Sequence, residues 1–360
     1  PGTATSALIH GPGQCWFIPH GLGRLVRQAR SGKLKFATIF RGRMRTASII
    51  TKDKTGEINV GYCLKSILKR SRSLVGAGLL FALSQSVSAL DVSSGDFQQI
   101  FKARSDALTV WQLADNPNVY IFDFPGLNLQ GRSFNRITQF TEQQGSEPYP
   151  KVLTNQELNR YYEAARRTQA DFAFGHDVLI SELVQFFNFA ARDKVELNPD
   201  EIAMRDFLIE QGLIRFWRGF YQAMKPEVVV LAVPQVQDRK AGEPMISEGA
   251  RYAILMHELA HGEYYSNSHY AKYCQRFWYE TLTENQREAF KKFLSAFNYS
   301  VANEELLVNE MQAYLMFTHD PKSFSARKLG VPEAELQSMR EAFRRGKPPT
   351  RLPLFPMGGV

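Results

Sequence analysis

Apolar residues recur at three- and four-residue spacing along most of the chain beyond residue 90, and polar capping signals mark where each helical stretch begins. Thr154-Asn155-Gln156-Glu157 is a capping box, in which hydroxyl and carboxylate satisfy each other's orphan amides. Leu158, Tyr161, Tyr162 and Ala165 fall on one face of the helix it opens. The same period places Leu179, Leu183, Phe186, Phe187 and Ala190 on the inner face of a helix over 177–192. Asn198-Pro199-Asp200-Glu201 supplies an N-cap, a first-turn proline and early carboxylates for a helix that stops at Gly212. Thr283-Glu284-Asn285-Gln286 opens a helix with Phe290, Phe293, Leu294 and Phe297 inward, and Asn303 caps another over 304–317. Helices are also predicted over 130–142 and 332–345. Two runs break the helical period and read as strands, 118–125 and 226–236, and Pro234 confines its end of the second to an edge or to the strand's limit. The pattern predicts one α+β domain over 90–360, predominantly helical, with a small sheet.

The first 89 residues follow different rules. They hold 14 Lys and Arg against 2 Asp and Glu, so a chain of formal charge +8 leaves 30 basic and 34 acidic residues, a net −4, for 90–360. The basic pI therefore belongs to the leader, and a nucleic-acid partner is not indicated. Lys65, Lys69, Arg70 and Arg72 precede an apolar core at 74–83 and a small-residue Val87-Ser88-Ala89 site, the layout of a signal peptide over 65–89. A membrane anchor is the competing reading, but ten apolar residues fall short of the roughly 20 that span a bilayer. Residues 1–64 read as an upstream extension outside the fold, either a mis-assigned gene start or a genuine cytosolic arm. Of Cys15, Cys63 and Cys274 only the last lies beyond the leader, so no intramolecular disulfide is expected there. Cys274 sits in a helical pattern and reads as a small buried apolar group.

One stretch makes a specific chemical demand: His257-Glu258-Leu259-Ala260-His261. On a helix, residues four apart share a face, so both imidazoles can reach one ion at about 2.0–2.1 Å. Glu258 is placed to take a proton from a water in the remaining coordination position. The spacing also arises by chance. The apolar residues 252–256 and the uncharged Leu259 and Ala260 favour a buried, metal-binding helix over a fortuitous pair.

At these residues the chain resembles the zincin metallopeptidases. A metzincin would continue with a glycine and a third histidine where Tyr264 and Asn267 stand, whereas Asn309-Glu310-Met311-Gln312-Ala313-Tyr314 is similar to the gluzincin pattern that carries the third ligand. The resemblance spans about 60 residues from His257 to Tyr314. It implies a zincin-like fold with the sheet packed on the 257–261 helix, Zn2+ held by His257, His261 and Glu310, Glu258 as general base, and Tyr314, His319 or His269 as donor to an oxyanion. Glu310 also stands mid-helix among Leu306, Leu307, Met311 and Ala313, where an unpaired carboxylate is costly. His269 is the alternative third ligand. Two departures are Glu263, where zincins carry an apolar residue, and Ala313 or Tyr314, where several gluzincins carry an orienting Asp. By the same resemblance, the strand at 226–236 stands where a zincin sheet edge holds substrate, though it also fits as a core strand. The polar residues 237–249 suit a loop over the cleft, and His176 reads as structural.

These expectations converge on an exported, periplasmic or secreted zinc metallopeptidase acting on peptides or proteins, without a membrane anchor once the leader is removed. The alternative is a non-catalytic, zinc-stabilised binding or scaffold protein with the same fold; retention of Glu258 favours the enzyme. Protein recovered from the envelope or medium is expected to begin near Leu90 on N-terminal sequencing, and an intact N-terminus upstream of Lys65 would overturn the leader assignment.

Overall fold

The structure, a computed structural model, describes residues 49–52, 58–61, 90–142, 151–240 and 242–352. The expected signal peptide, most of 1–64 and the tail beyond 352 lie outside the described residues. Two units separate, Pro1–Ser84 and Gln85–Val360. In the first, β1 (Ile49–Lys52) and β2 (Ile58–Gly61) pair antiparallel.

The second unit runs β3 (Val92–Gly95), α1 (Phe97–Lys102), β4 (Thr109–Leu113), β5 (Asn116–Phe124), α2 (Leu127–Glu142), α3 (Asn155–Ala165), β6 (His176–Leu179), α4 (Ile180–Asp193) and α5 (Pro199–Glu210). It continues with the hairpin β7 (Ile214–Trp217) and β8 (Phe220–Ala223), then β9 (Val229–Pro234), α6 (Glu248–Ser266), α7 (Ser268–Arg276), a π-helical turn (Phe277–Thr281), α8 (Glu284–Ser295), α9 (Glu304–Phe317), α10 (Ala326–Leu329) and α11 (Glu333–Gly346). The architecture is α+β, with a mixed five-stranded sheet in the order β3-β4-β5-β9-β6.

The two-residue period of a strand decides which layer each residue joins. Along β5 and β9, Val119, Ile121, Val229, Leu231 and Val233 face one core with Leu255, Leu259 and Ala260 of α6. Tyr120, Phe122, Phe124, Val230 and Ala232 face the other, with Phe134 of α2, Phe186 of α4 and Phe207 of α5. Asp123 falls on the α6 side of that alternation, and Arg251 of α6 meets it there. Both side chains are 0 % exposed. The Arg251 guanidinium donates to Asp123 Oδ1 (2.7 Å) and Oδ2 (3.0 Å), and to the carbonyls of Pro234 (2.7 Å), Ile100 (2.5 Å) and Phe101 (3.0 Å). Five donors meet five acceptors. Burial pushes the Asp123 carboxyl up, and the guanidinium pulls it back toward the ionised form. Closer to the motif, α6 lies against β5 at Gly262, where an added Cβ would stand 3.1 Å from Val119 Cγ2.

The capping signals at Thr154, Asn198, Thr283 and Asn303 all form the expected side-chain bonds. Glu201 does more than cap: it forms a buried, bidentate pair with Arg136 that fastens α5 to α2. Three expectations are corrected. Residues 177–179 belong to β6 rather than to the following helix, because pairing with β9 buries Val178 opposite Val230 and completes the sheet. The strand at 226–236 narrows to β9 and lies inside the sheet between β5 and β6, so Pro234 marks its limit and β6 is the edge strand on that side. Phe297 lies past the end of α8 and is 43 % exposed, beside the left-handed turn at Asn298. Beyond β9, Gln237 bridges antiparallel to Ile246, and Ile246 docks against Leu127 at the start of α2. Cys274 is buried in the α6-side core, as expected.

Removing one member of the Asp123–Arg251 pair strands a buried charge. Arg251→Met is expected to destabilise the fold by about 3–5 kcal/mol in urea denaturation, and Asp123→Leu in the same chain to restore much of the loss.

Candidate metal centre

The centre is built where α6 crosses α9, and each helix brings its groups in at a single level. α6 carries His257, Glu258 and His261; α9 carries Asn309, Glu310 and Tyr314, with Thr318 just past its end. His257 Nε2 and His261 Nε2 stand 3.1 Å apart. Glu310 Oε2 lies 3.6 Å from the first and Glu310 Oε1 3.6 Å from the second.

The hydrogen bonds behind the rings decide what the Nε2 atoms are. Thr318 donates its hydroxyl to the Ala313 carbonyl (3.1 Å), so towards His257 Nδ1, at 2.8 Å, it accepts. Asn309 Oδ1 lies 2.9 Å from His261 Nδ1 and also accepts from Gln312 Nε2 (3.2 Å), whose own orientation is set by Tyr270 donating to Gln312 Oε1 (2.7 Å). Both Nδ1 atoms thus carry the proton, and in the neutral ring each Nε2 presents its lone pair to the same point. Two lone pairs at 3.1 Å and a carboxylate opposite both of them repel unless a cation is shared.

The site fits such a cation. Tetrahedral zinc with ligand bonds of 2.0–2.1 Å separates its donors by roughly 3.3 Å. Glu310 Oε2 is buried without a hydrogen-bond partner, and His257, His261 and Glu310 bring ligand atoms within 4.8 Å of one another. Burial raises the Glu310 carboxyl to about 7 and lowers His257 to about 4. A dication here would reverse the first shift and favour the neutral imidazole further.

Glu258 is 4 % exposed, and its Oε2 has no hydrogen-bond partner. Its carboxyl is held well above the usual carboxylate range by burial, then by the charges of Asp177, Glu310 and Glu142. Asp177 comes from β6, reaches to 3.9 Å from His261 Nε2, and groups with Glu258 and His261. It also lines a cavity of about 100 Å³ whose wall includes Glu142, Glu182 and Glu305. None of these four pairs with a Lys or Arg among the described residues' salt bridges.

Tyr314 sets its ring edge-on to His257, centroids 4.6 Å apart, and its hydroxyl bonds with Tyr299, which also reaches Glu310. His269 and His319 are exposed and join neither metal grouping among the described residues. His176 is structural: buried, stacked on Phe134 and bonded through Nδ1 to Thr138 Oγ1 at 2.6 Å. The unusual Glu263 faces away from the centre, where it accepts from Asn267 Nδ2 (2.7 Å) and from the Arg351 amide (3.3 Å). Sequence reading did not anticipate Asp177, Tyr299, Thr318 or Glu142. Only Asn309 carried a signal, as the residue preceding Glu310.

Searches of protein-family models, of curated protein sequences and of solved structures each returned no match to this chain.

Groups that orient a ligand histidine tune its affinity for metal. Asn309→Leu and Thr318→Val are each expected to weaken zinc binding about 10–100-fold in chelator competition, with the fold retained.

Proposed function

We propose that the chain is a zinc-dependent metallopeptidase, predominantly helical with a zincin-like site, that acts outside the cytoplasm on peptides or proteins. The observation that carries this reading is the convergence of two Nε2 atoms 3.1 Å apart with Glu310 opposite both of them and, alongside, the Glu258 carboxylate, whose Oε2 has no hydrogen-bond partner. His257, His261 and Glu310 would hold the ion. Three protein ligands leave a coordination position open, which is the pattern of catalytic rather than structural zinc.

Bound zinc lowers the pKa of a water toward about 7 and polarises a carbonyl oxygen. The remaining work falls to the chain. Glu258 takes a proton from the attacking water and delivers it to the departing amine, which requires its carboxylate to be ionised at the start. Tyr314, held by Tyr299, is the donor assigned to the developing oxyanion. Thr318 and Asn309 keep both imidazoles in the Nδ1–H tautomer through the cycle, and the surrounding carboxylates favour a cation in the site.

Glu258→Gln preserves shape and removes the base. Zinc content should stay at the wild-type level while turnover of a peptide library falls about 10²–10⁴-fold; hydrolysis at the wild-type rate would refute the role of Glu258. Glu310→Ala should lose zinc and turnover together, whereas His269→Ala should keep both. The reverse result in metal analysis would move the third ligand to His269. Zinc retention with no hydrolysis by the unaltered protein would favour the binding or scaffold reading.

A further inference from the structure

Resting on the assignment of Glu258 as general base, we propose that Gly175 is a positioning residue whose missing side chain gives the Glu258 carboxylate its place beside the metal ligands. A Cβ built on Gly175 would collide with Glu258 Oε1 and stand 2.6 Å from its Cδ and 2.9 Å from its Cγ. The described glycines in the left-handed region are Gly212, Gly219, Gly242 and Gly330. Gly175 is not among them, so its backbone is open to any residue and what glycine supplies there is room.

Neither side of the contact can retreat. The strand side is pinned at both neighbours: Gln130 Nε2 donates to the Phe174 carbonyl at 3.0 Å, and His176 pairs in register with Ala232 while bonding Thr138. The helix side is pinned by the five bonds of Arg251 and by the close approach of Gly262 to Val119. A methyl at residue 175 must therefore turn the Glu258 side chain. With Glu258 almost wholly buried and Asp177 grouped beside it, the turn takes the carboxylate out of its present position. A displacement of about 1 Å at a reacting group costs on the order of 10²-fold in rate.

The test is Gly175→Ala, measured three ways. Zinc stoichiometry should match the unaltered protein, and kcat should fall on the order of 10²-fold with KM unchanged. A thermal-unfolding cycle with Glu258→Ala should show coupling: Gly175→Ala lowers Tm when Glu258 is present and leaves it unchanged when the carboxylate and Cγ are gone. Failure of Gly175→Ala to fold, rescued by Glu258→Ala, has the same meaning. An unchanged kcat, equal Tm losses in both backgrounds, or failure to fold in both overturns the proposal. The cycle is read without turnover, so an unaltered protein that binds zinc but hydrolyses nothing sinks the peptidase reading and leaves the Gly175 contact still decided.

Discussion

The buried Arg251 guanidinium is the constraint on which the other arrangements depend. An ion pair taken wholly out of water contributes little to stability for its charge alone, because desolvation offsets the attraction. Its value here is geometric. All five donors are used, and the acceptors come from α1, from β5 and from the end of β9. The height of α6 on the sheet, and its rotation, are fixed by directional bonds rather than by apolar contact alone. His257 lies six residues along the same helix, so the level at which its imidazole meets α9 follows from that anchor.

From that level the rest of the centre follows by proximity. α9 crosses α6 at Asn309 and Glu310, which places one amide behind His261 and one carboxylate before both rings. β6 reaches the same space from the sheet's outer edge and brings Asp177. The result is an unusual concentration of acid in a buried setting, with two imidazoles and several carboxylates converging. Such a region costs free energy in the absence of a cation, and α6 and β6, which form much of it, are held by contacts outside it, at Arg251 and along β9.

How much of this could be read from the sequence depended on how local the signal was. The helix starts at Thr154, Asn198, Thr283 and Asn303 were legible because a capping residue and its partner lie within three positions of each other. The His257-Glu258-His261 face was legible because helical periodicity alone brings it together, and Glu310 because a carboxylate amid apolar neighbours needs a reason. The short strands β3, β4 and β6 were not legible. Four or five residues carry too little periodicity, and β6 has its partner far away in sequence, so that Val178 is a strand residue only because Val230 is there to meet it. The same holds for Asp177, Tyr299 and Thr318, ordinary residues that acquire a role from what the fold sets opposite them. Glu263 was conspicuous in sequence, and its reason lies outside the centre altogether, in the amide of Arg351.

That last contact bears on the order in which the molecule is made. The helix that carries both histidines leaves the ribosome well before α9 does, and the Glu263 carboxylate near its C-terminal end gains the Arg351 amide only once residue 351 has been added. A nascent chain therefore holds the two imidazoles before Glu310, the carboxylate that stands opposite both of them, has been synthesised.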